Sequence, residues 1–148
     1  IEEIAKTEGF KPIAVIFNLG VNDLGNAGNY VSYMTSIAST LKSKNCKLFY
    51  MSVNPINSTM ITKSGRGART EAQVREFNSK IRSGLSLDYK YIDMYSVLMK
   101  KGYGTNASYN GTDADSDDGL HYTTKTFKRI YYYCITYLNT GSINASYY

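Results

Sequence analysis

The sequence is short of the residues that build covalent frameworks, membrane spans and polyanion-binding faces. Two cysteines, Cys46 and Cys134, cannot make a disulfide scaffold, and no Cys-x-x-Cys or Cys/His spacing marks a zinc site. Both stand among apolar neighbours and read as core thiols, with a single pairing between them left open. Purely apolar runs stop at about five residues, as in Ile13–Phe17, far below the ~18–20 that span a bilayer. No transmembrane helix is expected. Charge of one sign never gathers either: 17 Lys+Arg against 12 Asp+Glu leave +5, scattered through every segment. A nucleic-acid footprint is a clustered basic face, so this excess reads as solvated surface and no nucleic-acid partner is expected. The chain opens Ile1-Glu2-Glu3-Ile4, without an initiator Met, a basic leader or a signal-like apolar stretch, and reads as the inside of a longer precursor.

What is present is a globular composition, 43% hydrophobic and 20% charged, at one domain's length. No repeat or linker divides residues 1–148. Ile1, Ile4 and Ala5 have helical spacing and Gly9 suits a C-cap, so the chain starts inside a helix. Ile13–Phe17 is a continuous apolar run of strand length, as expected for a strand buried on both faces. After a Gly/Asn-rich loop, Tyr30, Tyr33, Met34, Ile37, Ala38 and Leu41 form one apolar stripe of a helix. Leu48–Val53 is a second buried strand, closed by Asn54-Pro55 and followed by a polar loop up to Arg69. Thr70 and Gln73 make a capping box ahead of the stripe Val74, Phe77, Ile81, which ends near Gly84. Tyr89–Asp93 is a third short strand, with a helical turn through Val97 and Leu98 after it. A long loop, Lys101–Tyr122, leads to a last helix that puts Phe127, Ile130, Tyr131, Cys134 and Leu138 on one face, capped by Thr123 or Thr124.

This alternation predicts right-handed βαβ units around a parallel sheet covered on both faces. Ligands of such sheets bind outside the carboxyl ends of the strands. Two short patterns fall on that edge: Gly20-Val21-Asn22-Asp23 after the first strand, and Asp118-Gly119-Leu120-His121 before the last helix. His121 is the sole histidine. A carboxylate three residues upstream, Asp118, can accept one imidazole N–H and fix the tautomer, leaving the other nitrogen as a general base. Asn22 offers an amide donor to an oxyanion, and Asp23 is placed to cap the helix that follows.

In this order and on this framework, the two patterns resemble the SGNH (GDSL-type) hydrolases. Gly20-Val21-Asn22-Asp23 looks like the family's Gly-x-Asn-Asp block, and Asp118-Gly119-Leu120-His121 like its Asp-x-x-His block. The resemblance implies a flavodoxin-like three-layer α/β/α sandwich and hydrolysis of an ester or thioester through an acyl-serine. It makes His121 the general base, Asp118 its orienting partner, Asn22 an oxyanion-hole donor, and Gly20 and Asp23 shapers of the loop. The expected substrates are small-molecule or carbohydrate acyl esters, O-acetyl groups on sugars among them. No cofactor or metal is called for.

The family's Gly-Asp-Ser turn, which carries the nucleophile, and the block supplying a second oxyanion donor are absent. Both are expected upstream of Ile1 with the sheet's first strands. No serine here substitutes. Ser142 lies past a last helix of about 16 residues, or ~24 Å, at the opposite edge. Ser52 and Ser64 are on the right edge but on no strand–turn–helix elbow. With three strands, Ile13–Phe17 lacks a neighbour, and an exposed apolar edge is expected there. Its partner would be the missing N-terminal segment or another copy.

Asp113-Ala114-Asp115-Ser116-Asp117-Asp118-Gly119 looks like the start of a calcium loop, but Asp118 stands where glycine is needed and Thr124 where a bidentate Glu is needed. It reads as a solvated acidic loop. Fifteen tyrosines suit sugar stacking but equally a plain composition bias. The polar, Tyr/Asn-rich character leans toward a secreted or cell-surface location. The rival function is a non-catalytic carbohydrate- or ligand-binding domain on the same scaffold. A nucleotide or phosphate binder is disfavoured, since no Gly-rich phosphate loop follows a strand.

Overall fold

The computed structural model describes residues 13–44, 46–65, 67–103 and 119–143. Within them the elements run β1 (Ala14–Phe17), α1 (Ala27–Lys42), β2 (Lys47–Met51), α2 (Ser58–Lys63), α3 (Glu71–Gly84), β3 (Tyr89–Ile92), α4 (Met94–Lys100) and α5 (Thr124–Thr140). The fold is mixed α/β. Its three strands are parallel in the order β1-β2-β3, with Phe17 opposite Tyr50 and Met51 opposite Ile92. The helix read over residues 1–9 lies outside the described residues.

The central strand explains how the core divides. Side chains alternate across a strand, and β2 sends Leu48 and Tyr50 into one buried cluster and Phe49 and Met51 into another. The first cluster holds Ala27, Met34 and Ala38 of α1 with Val74, Phe77 and Ile81 of α3. The second holds Met94 and Leu98 of α4 with Ile130, Tyr133 and Cys134 of α5. Among the described residues β1 pairs with β2 only. Among these residues it is an edge strand, with Ala14 exposed and Val15, Ile16 and Phe17 half-buried. That corrects the expectation of full burial on both faces: Val15 and Phe17 pack on the first cluster and Ile16 on the second, each only in part.

The capping box on α3 is formed, with Thr70 Oγ1 accepting from Gln73 N at 3.2 Å and Gln73 Oε1 accepting from Thr70 N at 2.8 Å. Thr123 caps α5, and Gly141 ends it in the left-handed region at φ 75°. Two helix faces differ from the sequence reading. On α1, Tyr33 and Ile37 are exposed while Ala27, Met34 and Ala38 are buried. On α5 the buried face is Thr126, Ile130, Tyr133 and Cys134, leaving Phe127 and Tyr131 exposed. On that buried face Thr126 Oγ1 lies 3.0 Å from the buried Tyr103 hydroxyl. Helix α2 falls in the stretch expected to be a polar loop. It is a single six-residue segment with one fully buried anchor, Ile61, too short to show a period.

Both cysteines are free thiols, Cys134 buried and Cys46 half-buried. Burial pushes the Cys134 thiol above its ordinary range. No helix among the described residues is long and apolar enough to cross a membrane.

Candidate active site

The loops leaving β1 and β2 meet the segment entering α5 at the carboxyl ends of the strands. Between them is a cavity of about 490 Å³, lined by Asn18, Asn22, Asn54, Arg69, His121 and Phe127 among others. Asn22 and His121 thus face one space although 99 positions (121 minus 22) separate them in the chain.

The Asn22 side is built on Gly20. This residue is buried at φ 114°, and a Cβ there would lie 2.5 Å from the Phe77 ring. Only glycine fits. Asp23 N donates to Gly20 O at 2.8 Å, and Asn26 N donates to Asp23 O at 2.8 Å. Asp23 therefore shapes the loop through its backbone. The N-cap of α1 is Asn26, which corrects the reading of Asp23 as the capping residue. Tyr50 Oη donates to Leu19 O at 2.8 Å. Burial, with Tyr30 and Tyr91 close by, holds the Tyr50 phenol far above its ordinary range, so it stays protonated as a donor.

Arg69 completes this side. Its Nε donates to Val21 O at 3.1 Å and its Nη2 to Asn22 Oδ1 at 3.0 Å. Guanidinium only donates, so the Asn22 oxygen must face Arg69, and Nδ2 is the group left to serve as a donor.

The His121 side is held by its neighbours. Gly119, at φ 72°, rests on the start of α2, where Asn57 N donates to Gly119 O at 2.8 Å. Two residues on, the buried Tyr122 donates its hydroxyl to Pro55 O, and Thr123 begins α5. His121 itself is exposed, at the cavity wall. Between two anchored neighbours it has little backbone freedom. Its sequence partner Asp118 lies outside the described residues, as does the acidic run from Asp113. Among the described residues no three His, Cys, Asp or Glu side chains are grouped to hold a metal.

No serine lines the cavity among the described residues. Ser52 is fully buried, its Oγ accepting from Tyr95 N at 2.7 Å. Ser64 donates to Ile61 O at 2.9 Å within the last turn of α2, and Ser142 follows α5, 17 residues long, or ~25 Å from its start.

Three lining residues escaped the sequence reading. Arg69 marked only the end of a loop, and its signal was topological, a cation on the ligand-binding edge. Phe127, whose spacing predicts a core position, lines the cavity, half-exposed. Asn54 stands in the sequence as a strand terminator; its Oδ1 is a buried acceptor with no hydrogen-bond partner among the described residues, which a well-satisfied interior rarely contains. Comparison of the chain with protein-family models, with curated proteins and with solved structures finds no match.

Proposed function

We propose that this chain is the C-terminal portion of an SGNH-type serine ester hydrolase acting on acyl esters, O-acetylated carbohydrate included. In this reading the sheet is part of a flavodoxin-like three-layer sandwich, whose first strands pair along the edge of β1 that is unpaired among the described residues. The two clusters that β2 feeds on opposite faces are what such layering requires. The nucleophilic serine lies upstream of Ile1.

The observation that carries the reading is one cavity at the carboxyl ends of parallel strands, bounded by an imidazole and by an amide whose oxygen is already engaged. In the reaction His121 takes the proton from the serine hydroxyl as its oxygen attacks the ester carbonyl. Asn22 Nδ2–H donates to the tetrahedral oxyanion. The imidazolium then returns the proton to the departing alcohol, leaving an acyl-serine that water hydrolyses by the same steps. Asp118 orients the imidazole and stabilises its charged form.

One observation favours the binding-domain alternative: the cavity's described wall contains no serine. The chain extended upstream to its natural start separates the two. Hydrolysis of p-nitrophenyl acetate, with an acyl adduct on an upstream serine, supports the enzyme. Saturable binding of an acetylated sugar without turnover supports the alternative and overturns the hydrolase reading.

A further inference from the structure

Arg69 reaches across from the segment preceding α3 to the loop that follows β1. Its two donors engage adjacent residues there: Nε meets the Val21 carbonyl at 3.1 Å and Nη2 meets Asn22 Oδ1 at 3.0 Å. The side chain is half-buried and lines the same cavity as Asn22. We infer that Arg69 is a positioning residue, which clamps the Asn22 carboxamide so that its N–H, and never its oxygen, is offered to an oxyanion. The inference rests on the reading of Asn22 as an oxyanion donor.

The chemistry follows from the shape of the two groups. A carboxamide rotated by half a turn exchanges a donor for an acceptor with almost no change in volume. An amide oxygen facing a developing oxyanion would raise the barrier that a donor lowers. Arg69 removes that option by giving Oδ1 a cationic partner. Because the guanidinium is a rigid planar fork, its second bond to Val21 O fixes the clamp relative to the loop backbone as well as to the side chain. It also draws electron density toward Oδ1, which strengthens Nδ2–H as a donor. A lysine would supply the charge from a single point and lose the fork.

The test uses the chain extended to its natural start, with p-nitrophenyl acetate as probe and four variants: Asn22→Ala, Arg69→Ala, Arg69→Lys and Asn22→Ala/Arg69→Ala. Removing an oxyanion donor lowers kcat by roughly 10²–10³-fold, so Asn22→Ala should fall in that range. Arg69→Ala should lower kcat by about tenfold or more with KM nearly unchanged, and Arg69→Lys should recover part of the loss. The double variant should match Asn22→Ala, because a residue acting only through Asn22 has nothing left to act on. A second readout does not depend on turnover. In ¹⁵N-labelled protein the Asn22 side-chain NH₂ should be rigid in wild type and mobile in Arg69→Ala. Losses that multiply in the double variant, or an NH₂ signal indifferent to Arg69, overturn the inference. If Asn22→Ala leaves kcat intact, or no turnover occurs at all, it is the hydrolase reading of Asn22 that fails. The NH₂ signal then still decides whether Arg69 holds the amide.

Discussion

Gly119→Ala tests how the histidine-bearing segment is held. At φ 72° an alanine pays for a left-handed backbone, about 1–2 kcal/mol. Its Cβ would also stand 2.5 Å from Asn57 O, 2.8 Å from Met60 Cβ and 2.9 Å from Ile61 N. Two of those three atoms are backbone of α2 or its cap and cannot swing aside. Overpacking of this kind adds about 1–3 kcal/mol, for a total near ~2–5 kcal/mol. Gly141→Ala is the matched control, since φ is 75° there but nothing among the described residues lies within 4 Å of the added Cβ. It should cost only the backbone share, ~1–2 kcal/mol. Loss of glycine's unfolded-state freedom offsets both variants equally and cancels in the comparison. At about 4 °C per kcal/mol for a chain of this length, thermal melts should place Gly119→Ala well below wild type and ~4–12 °C below Gly141→Ala. Equal melting temperatures for the two variants would refute the docking of residues 119–122 on α2, and with it the account of how His121 is placed.

Two further outcomes follow from buried polar groups. Asn78 is buried and serves both backbone groups of Val53, accepting from its N at 2.8 Å and donating to its O at 2.9 Å. Asn78→Ala strands both, and chemical denaturation should show a loss of at least ~2 kcal/mol; a loss under ~0.5 kcal/mol would show that water replaces the side chain. Burial is the main cause that pushes the Tyr89, Tyr91 and Tyr95 phenols up to about 12 from an ordinary 10. Between pH 10 and 12 the unfolded chain therefore binds fewer protons than the native one, and stability falls as pH rises through that window. Ultraviolet titration should show a late tyrosinate phase coincident with loss of native circular dichroism. A single phase near pH 10 with the fold intact would contradict it.

The strands and the longer helices were legible because each repeats a period long enough to read: five apolar residues in a row at Ile13–Phe17, a capping box and three core positions in α3. Helix faces were less so. A tyrosine counts as apolar in a pattern, yet its hydroxyl also tolerates water, and with Tyr131, Tyr132 and Tyr133 in a row only Tyr133 is buried. The loop patterns around Asn22 and His121 were visible as short motifs, and the strand order brings them to one cavity. Arg69 was not visible in this way. Its partners lie 47 and 48 positions away, and no local pattern encodes a contact made by two loops after folding. Gly119 could be seen as part of a motif, but the reason for it, the backbone of α2, depended on a helix too short to be recognised.

Whether His121 is the general base is decided by turnover of p-nitrophenyl acetate by the upstream-extended chain, measured for wild type beside His121→Ala. Wild type should turn over the ester, and the variant's kcat should be lower by about four orders of magnitude or more, as members of a catalytic unit behave. Equal rates in the two proteins would contradict it.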